Sequence, residues 1–205
     1  MRAAEKGLVS TPRSRVNLRT VHRTIGKVLF PFLTVTAVTG LTYRIGRNWF
    51  GMSKETGEVV RSIHEGSIVG KAFAPIYVLV VGLALLAMIG AGVSMWRRSA
   101  RSAAASPRSR RWHHLASFVF AAPLALSAVT GIGYRLGRSW LGWSEDATKL
   151  LMSLHQGSWL GPKWRALYVV FVGLGLLYLL GSASPMLWRL RGARGSAKHA
   201  ASRGR

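Results

Sequence analysis

The sequence predicts an all-α membrane protein with four transmembrane helices, made from two tandem copies of a helical hairpin. Two observations support this fold class. First, apolar residues gather into four blocks, at residues 25–43, 73–96, 115–134 and 167–188. Second, the string GLTYRIGRNWFG, which begins at Gly40, returns as GIGYRLGRSWLG from Gly131, 91 positions later.

The length and composition of the four blocks indicate membrane spans. Each block is close to the ~20 residues that a helix needs to cross a hydrocarbon core of about 30 Å. Only 17% of the 205 residues are charged, against about a quarter in ordinary soluble domains. The blocks are also rich in Gly, Ala, Ser and Thr, which allow close helix packing in lipid. Buried helices of a soluble protein are the alternative, but too little polar sequence remains to cover four of them.

The repeat extends well beyond the two quoted strings. When the chain is shifted by 91 positions without a gap, about thirty of roughly eighty aligned pairs are identical. Each copy contains a span, an outer loop with a short helix, and a second span. Because two crossings return the chain to its starting side, both copies have the same topology. We therefore expect a parallel pseudo-twofold axis along the membrane normal, with equivalent residues facing each other across it.

The repeat divides the chain into five segments. These are a basic N-terminal segment (1–18), the first repeat (19–98), a basic linker (99–109), the second repeat (110–190) and a basic tail (191–205). The termini and the linker lie on the same side of the membrane, and 19 of the 29 Lys and Arg residues lie on that side. Five of the six acidic residues lie on the other side. Positive residues mark the cytoplasmic face, so the sequence predicts that both termini and the linker are cytoplasmic.

The net charge of +23 predicts attraction to anionic lipid at the cytoplasmic face. No folded nucleic-acid-binding module accompanies the basic tail, so nucleic acid is not an expected partner. The first apolar block follows two dozen polar and basic residues and has no small-residue cleavage site, so we do not expect a removable signal peptide.

Two histidines of each copy are retained in the other copy. His22 and His113 stand one turn before the first and third spans, and His64 and His155 stand at the opposite boundary, just before the second and fourth. Folding about the axis gives one pair per membrane face, and two imidazoles from opposite halves can provide both axial ligands of a haem iron. A whole helix of about 30 Å should separate His22 from His64.

Other histidines and other metals fit this pattern less well. His114 is matched by Arg23 and so breaks the repeat, which makes His113 the better ligand candidate. Zinc and copper sites usually recruit Cys or acidic ligands, and the chain has no Cys. The absence of Cys also excludes covalent haem attachment through a C-x-x-C-H motif. An interfacial histidine that only lies at headgroup level is the simpler alternative.

The residues around the histidines suit a flat macrocycle. Gly26 and Ser117 lie one turn beyond His22 and His113, where a small side chain leaves room for an inner haem. In the outer loops, SKETGEVVRSIHEG and SEDATKLLMSLHQG each start with Ser and acidic residues and end at Gly. Such ends are typical of a short helix, so we expect interfacial helices that direct the outer histidines into the membrane boundary.

The repeated YRxGR string provides candidate partners for the propionates of an outer haem. It supplies one tyrosine and two arginines per copy: Tyr43, Arg44 and Arg47, then Tyr134, Arg135 and Arg138. The planar guanidinium group matches a carboxylate, and these residues end the first and third spans on the side of the outer histidines. The alternative is that Arg, together with Trp49 and Trp140, only marks the membrane interface.

The arrangement resembles a known family. The stretches HRTIGKVLFPFLTVTAVTG with IHEGSIVG, and HHLASFVFAAPLALSAVTG with LHQGSWLG, are similar to the membrane region of PepSY-associated transmembrane (PepSY-TM) proteins. That family includes bacterial inner-membrane ferric-siderophore reductases with b haems. The resemblance implies a bacterial inner-membrane location and axial haem ligation by the four repeated histidines: His22, His113, His64 and His155.

The chain also departs from that family. Its outer loops are only about thirty residues each, so a large PepSY domain and its siderophore pocket are not expected. No strand, Gly-rich turn and helix unit indicates a flavin or nicotinamide site, so the electrons should come from a quinol or a reductase partner.

Two functions remain after these observations. The first is a b-type cytochrome with two bis-histidine haems, which carries electrons to ferric iron, a siderophore or another outer acceptor as an oxidoreductase. The second is a haem-free PepSY-TM-like scaffold or accessory subunit, whose repeated motifs serve packing. Either form could assemble as a homodimer or a larger complex.

Overall fold

The computed structural model describes residues 17–99 and 108–203, and beyond residue 187 only the backbone is described. Within these ranges the chain is α-helical and contains no β-strand. The helices are α1 (Leu18–Trp49), α2 (Lys54–His64), α3 (Ala74–Ser99), α4 (Arg108–Ser139), α5 (Glu145–Gln156) and α6 (Pro162–Arg203), with a short 3-10 helix at Ser158–Leu160. Most of the basic N-terminal segment and of the linker lies outside the described residues.

Four helices are long and apolar enough to cross a membrane. They correspond to Leu18–Trp49, Ala74–Arg98, Arg111–Ser139 and Pro162–Pro185. Large apolar side chains on them, such as Phe32, Val80 and Phe118, point away from the rest of the chain, as the lipid-facing side chains of a transmembrane helix do. The all-α membrane fold class is therefore confirmed.

Helix α1 is longer than the apolar block that predicted it. It starts at the N-cap Asn17, whose side chain accepts the N–H of Arg19, and it continues through the polar end of the block to Trp49. A helix satisfies its own backbone groups whatever solvent surrounds it, so the apolar limit at Tyr43 is not a helix limit. At the other end, α1 begins at Leu18, so His22 lies in its second turn.

The spanning helices form a ring. Helix α1 packs against α3 and α6, and α4 packs against the same two helices. The short helices α2 and α5 lie against α1 and α4, respectively. Buried apolar side chains fill the centre: Leu29, Leu33, Ala37, Leu124, Val172, Leu176 and Leu180.

Contacts between the two halves are reciprocal. Leu41 of α1 packs into Gly173 of α6, with Cδ2 2.7 Å from the position that a Cβ would take. Ile132 of α4 packs into Gly82 of α3, also with a Cδ1 distance of 2.7 Å. Each contact is the other shifted by 91 positions, and a parallel pseudo-twofold relation between the halves predicts such reciprocity. Small residues allow this close approach between membrane helices.

Each short helix is followed closely by a glycine, at a position where any other residue would be strained. Gly66 follows α2 with φ of 74°, and Gly157 follows α5 with φ of 71°. A Cβ would lie 2.6 Å from the ring of Tyr77 at the first position and 2.5 Å from the ring of Tyr168 at the second. The chain therefore turns sharply after each short helix, and this turn fixes the position of the histidine in the last turn of that helix.

Candidate functional site

The outer histidines are held by equivalent backbone carbonyls. The Nδ1 atom of His64 lies 2.9 Å from the carbonyl oxygen of Thr36, and the Nδ1 atom of His155 lies 2.8 Å from that of Ser127. Thr36 and Ser127 are 91 positions apart. A carbonyl can only accept, so each Nδ1 donates its N–H and each Nε2 carries the lone pair. Histidines that bind metals are usually oriented by this kind of hydrogen bond.

Two equivalent glycines make room for these rings. A Cβ on Gly40 would lie 3.1 Å from Cε1 of His64, and a Cβ on Gly131 would lie 3.2 Å from Cε1 of His155. A larger residue at either position would push the ring away from its carbonyl partner. The glycine at the start of each copy of the repeated string is thus explained by close contact with the outer histidine of the same half.

The outer histidines are neutral at physiological pH. Burial lowers the pKa of His64 from its ordinary value. Burial, and then the proximity of His64, lower the pKa of His155 to about 4, and Arg44 acts in the same direction. The two rings are therefore close enough for their charges to interact. Neutral imidazole is the form that binds a metal.

The inner histidines are held less symmetrically. The Nδ1 atom of His22 lies 3.1 Å from the carbonyl oxygen of Met88 on α3. The Nδ1 atom of His113 lies 2.8 Å from the hydroxyl of Ser182 on α6, and that hydroxyl donates to the carbonyl of Leu179 at 3.1 Å. Leu179 is the equivalent of Met88. In the second half, the serine therefore stands between the histidine and the carbonyl that binds His22 directly in the first.

The inner rings also lie near each other, since the charges of His22 and His113 are within interaction range. The two small residues expected to leave room for an inner haem differ in their surroundings. The methyl group of Met88 lies 3.5 Å from where a Cβ of Gly26 would be, while the hydroxyl of Ser117 donates to the carbonyl of His113 at 2.7 Å. Methionine is flexible, so a rotamer change at Met88 can vacate the space beside Gly26.

The two pairs lie closer together along the bundle than the sequence suggests. His64 contacts α1 at Thr36 and Gly40, about two and a half to three and a half turns before the helix ends at Trp49. At 1.5 Å per residue, His22 is about 21–27 Å from that level, rather than about 30 Å. The reason is that α2 folds back along α1 and places its last turn below the outer end of α1.

Arginines of each half reach the opposite half beside the outer histidines. Arg44 is buried, with 6% of its surface exposed, and its Nη2 donates to Oε1 of Gln156 at 2.8 Å. Arg135 forms an ion pair with Glu65, although its Nη2 lacks hydrogen-bond geometry. Glu65 and Gln156 are equivalent, and each directly follows the outer histidine of its half. The two contacts are therefore another reciprocal pair.

The other residues of the repeated YRxGR string lie further out. Arg47 and Arg138 are exposed, and Nη1 of Arg47 donates to the carbonyl of Met52 in its own loop at 2.8 Å. Tyr43 and Tyr134 are half-buried. Of the six residues predicted to hold propionates, the structure thus buries Arg44 most completely and brings Arg44 and Arg135 into contact with the opposite half.

One charged residue at this site, Arg165, has no counterpart in the other copy of the repeat and was not predicted. Arg165 of α6 donates to the same Oε1 of Gln156 that accepts from Arg44. Its equivalent in the first half is Ala74, so the repeat gives no signal for it. The Nε atoms of Arg44 and Arg165 are buried, and neither has a hydrogen-bond partner among the described residues. A buried polar group without a partner is costly.

These donors fit a haem better than a bare metal ion. Among the described residues, no three His, Asp or Glu side chains gather in a group that could hold a metal ion. An iron porphyrin needs only two axial ligands from the protein, and each histidine pair provides two oriented imidazoles. The unpartnered guanidinium atoms beside the outer pair suit propionates. Comparison of the chain with protein-family models, with curated proteins and with solved structures found no match.

Proposed function

We propose that this protein is a b-type cytochrome of the bacterial inner membrane, related to the PepSY-TM proteins, in which two bis-histidine haems carry electrons across the bilayer. One observation carries the proposal most directly. Four histidines form two neighbouring pairs at different levels of one helical bundle, and each donates its Nδ1–H to an acceptor in its own half. In a scaffold these bonds would only satisfy buried N–H groups, whereas this tautomer also leaves the lone pair on Nε2, the atom that would bind iron.

The role of the histidines follows from their hydrogen bonds. His22 with His113 would bind the inner iron, and His64 with His155 the outer iron, in each case through Nε2. The bonds at Nδ1 fix the tautomer and the plane of each ring and increase the basicity of Nε2. Bound haem would supply a one-electron redox change at each level.

Arginine and tyrosine side chains would hold the outer propionates. Arg44 and Arg135 contact the residues that follow the outer histidines, so both guanidinium groups would lie close to the macrocycle, Arg135 as the ion-pair partner of Glu65. Tyr43 and Tyr134 add hydroxyl groups one residue earlier. The exposed Arg47 and Arg138 extend the positive charge toward the lipid headgroups and attract anionic groups at longer range.

The proposed direction of electron transfer is outward, from the inner site to the outer site. The basic termini and linker place the inner pair near the cytoplasmic face, where a quinol or a reductase partner can act as the donor. The outer pair faces the opposite side, where ferric iron, free or in a siderophore, is the proposed acceptor. Apolar side chains such as Leu29, Leu33 and Leu124 fill the bundle between the two levels and exclude water from it.

The haem content of the purified protein tests this function. The full chain should be produced in cells supplied with a haem precursor and analysed as the pyridine haemochrome. We expect two b haems per chain, both low-spin, and none in a control with all four repeated histidines changed to Ala. A saturated preparation with one haem or none would contradict the proposal, and a haem-free protein would favour the scaffold function.

A further inference from the structure

The two halves of the outer site differ in charge although their geometry is reciprocal. In one half, Arg135 is paired with the carboxylate of Glu65. In the other half, the equivalent acceptor is the neutral amide of Gln156, and two arginines share it, Arg44 and Arg165. We call these three residues, Arg44, Arg165 and Gln156, the Arg44–Arg165 cluster. It holds two positive charges, and no acidic side chain of the described residues forms an ion pair with either, whereas the Arg135–Glu65 pair is neutral overall.

The cluster is incomplete as a hydrogen-bonding group. Arg44 is 6% exposed, its Nε has no partner within the described residues, and the same is true of Nε of Arg165. The two guanidinium groups also repel each other, since their charges interact. Among the described residues, the buried Arg44 donates only to the neutral amide oxygens of Gln156 and Asn48, so its charge loses more solvation than it regains. An anion placed against them would satisfy the free N–H groups and offset the repulsion.

We infer that the Arg44–Arg165 cluster binds one carboxylate, that of a single propionate of the outer haem, and that the opposite half binds no second carboxylate with comparable strength. This inference rests on the proposed function. Glu65 already occupies Arg135, so a propionate there would meet a carboxylate of its own sign. At position 156 a glutamate would block the cluster in the same way, and the chain has glutamine instead.

The surroundings of the cluster favour a haem carboxylate over a lipid phosphate. Arg44 interacts electrostatically with His155, a proposed axial ligand, so the cluster lies beside the outer imidazoles. Arg44 itself is buried within the bundle, while the arginines expected to meet lipid headgroups, Arg47 and Arg138, are exposed. A planar carboxylate also matches the fork of N–H donors that a guanidinium group presents.

Haem and its dimethyl ester, which has no carboxylates, form the test. Both would be titrated into the full chain in nanodiscs of zwitterionic lipid, in a His22→Ala, His113→Ala background that keeps only the outer pair. We expect the outer site to bind haem at least about tenfold more tightly than the ester. Arg165→Gln should remove most of this preference by weakening haem alone. Lys163→Gln, which removes an exposed positive charge two residues away on the same helix, should leave the preference unchanged.

A second measurement does not depend on that background. In the otherwise intact chain, Arg165→Gln removes a positive charge near the outer iron, so the reduction potential of the outer haem should fall while that of the inner haem stays constant. Equal binding of haem and ester, or equal effects of Arg165→Gln and Lys163→Gln, would overturn the inference while leaving the cytochrome function intact. Loss of the haem preference in phosphatidylglycerol nanodiscs would assign the cluster to lipid phosphate and overturn it as well. Failure of the intact chain to bind any haem would instead contradict the proposed function.

Discussion

The outer and inner histidine pairs have the same ligand chemistry but different supports. Both outer histidines use a backbone carbonyl and a glycine at equivalent positions in the two halves. The inner pair uses a carbonyl for His22 and a serine hydroxyl for His113. A substitution cannot remove a backbone carbonyl. The outer support therefore depends mainly on the two glycine positions, where no side chain competes with the histidine ring for space. The inner support has changed in one half through a single side chain.

The largest expected effect comes from a large side chain at Gly40, one of the two glycines that make room for the outer histidine rings. In Gly40→Leu, the new side chain would take the place of the His64 ring, since even a Cβ would lie 3.1 Å from Cε1. We expect the haem content to fall from two to about one, with the inner haem still low-spin. Haemochrome assay and optical spectra of the purified variant measure this.

Gly90→Leu is the matched control, because a Cβ on Gly90 meets no atom within 4 Å. It should keep both haems. If Gly40→Leu also kept both, or lost the inner haem first, the outer support would not be where we place it.

A smaller effect is expected from pH in the haem-free protein. The pKa of His155 is about 4 in the folded chain and about 6.5 in an unfolded one, so the unfolded chain binds the proton first as the pH falls. This group does not affect stability above pH 6.5, and stability decreases from pH 6.5 to about 4, by up to about 3 kcal/mol. The lowered pKa of His64 acts in the same direction. Thermal unfolding in detergent at several pH values measures the decrease, and His155→Gln should reduce it. A flat profile in the unmodified chain would show that these rings are not buried.

The smallest effect is expected at the inner pair. Ser182→Ala removes the hydroxyl that binds His113, but the carbonyl of Leu179 lies behind it and can accept from His113, as the equivalent carbonyl accepts from His22. We expect the inner haem affinity to fall by a few-fold, less than the 10–100-fold typical when an outer-shell partner is lost. Haem titration into the variant measures the change. A loss of the inner haem would show that the serine itself is required.

Much of the fold followed from sequence because its signals are local. Apolar length predicted the four spans, and the Ser and Gly at the ends of SKETGEVVRSIHEG and SEDATKLLMSLHQG correspond to a real N-cap and a left-handed glycine turn in each loop. The repeat also selected the histidines that the structure brings into two pairs. The haem that they are proposed to bind stays a prediction.

Other features depend on tertiary contacts that no local pattern encodes. Hydropathy could not show that α2 folds back along α1, which shortens the distance between the two histidine levels. The repeat treated Arg44 and Arg47 alike, but the helical turn buries the first and exposes the second. Arg165 has no repeated counterpart, so only its contact with Gln156 reveals it.

The central claim is that each haem takes one histidine from each half. Optical and paramagnetic-resonance spectra of single and double variants test it most directly. His64→Ala should make the outer haem high-spin or remove it, and adding His155→Ala should cost little more, because both residues serve one iron. His22→Ala should affect only the inner haem, and His114→Ala should affect neither. If His64→Ala and His22→Ala disturbed the same haem, the pairing across the two halves would be wrong.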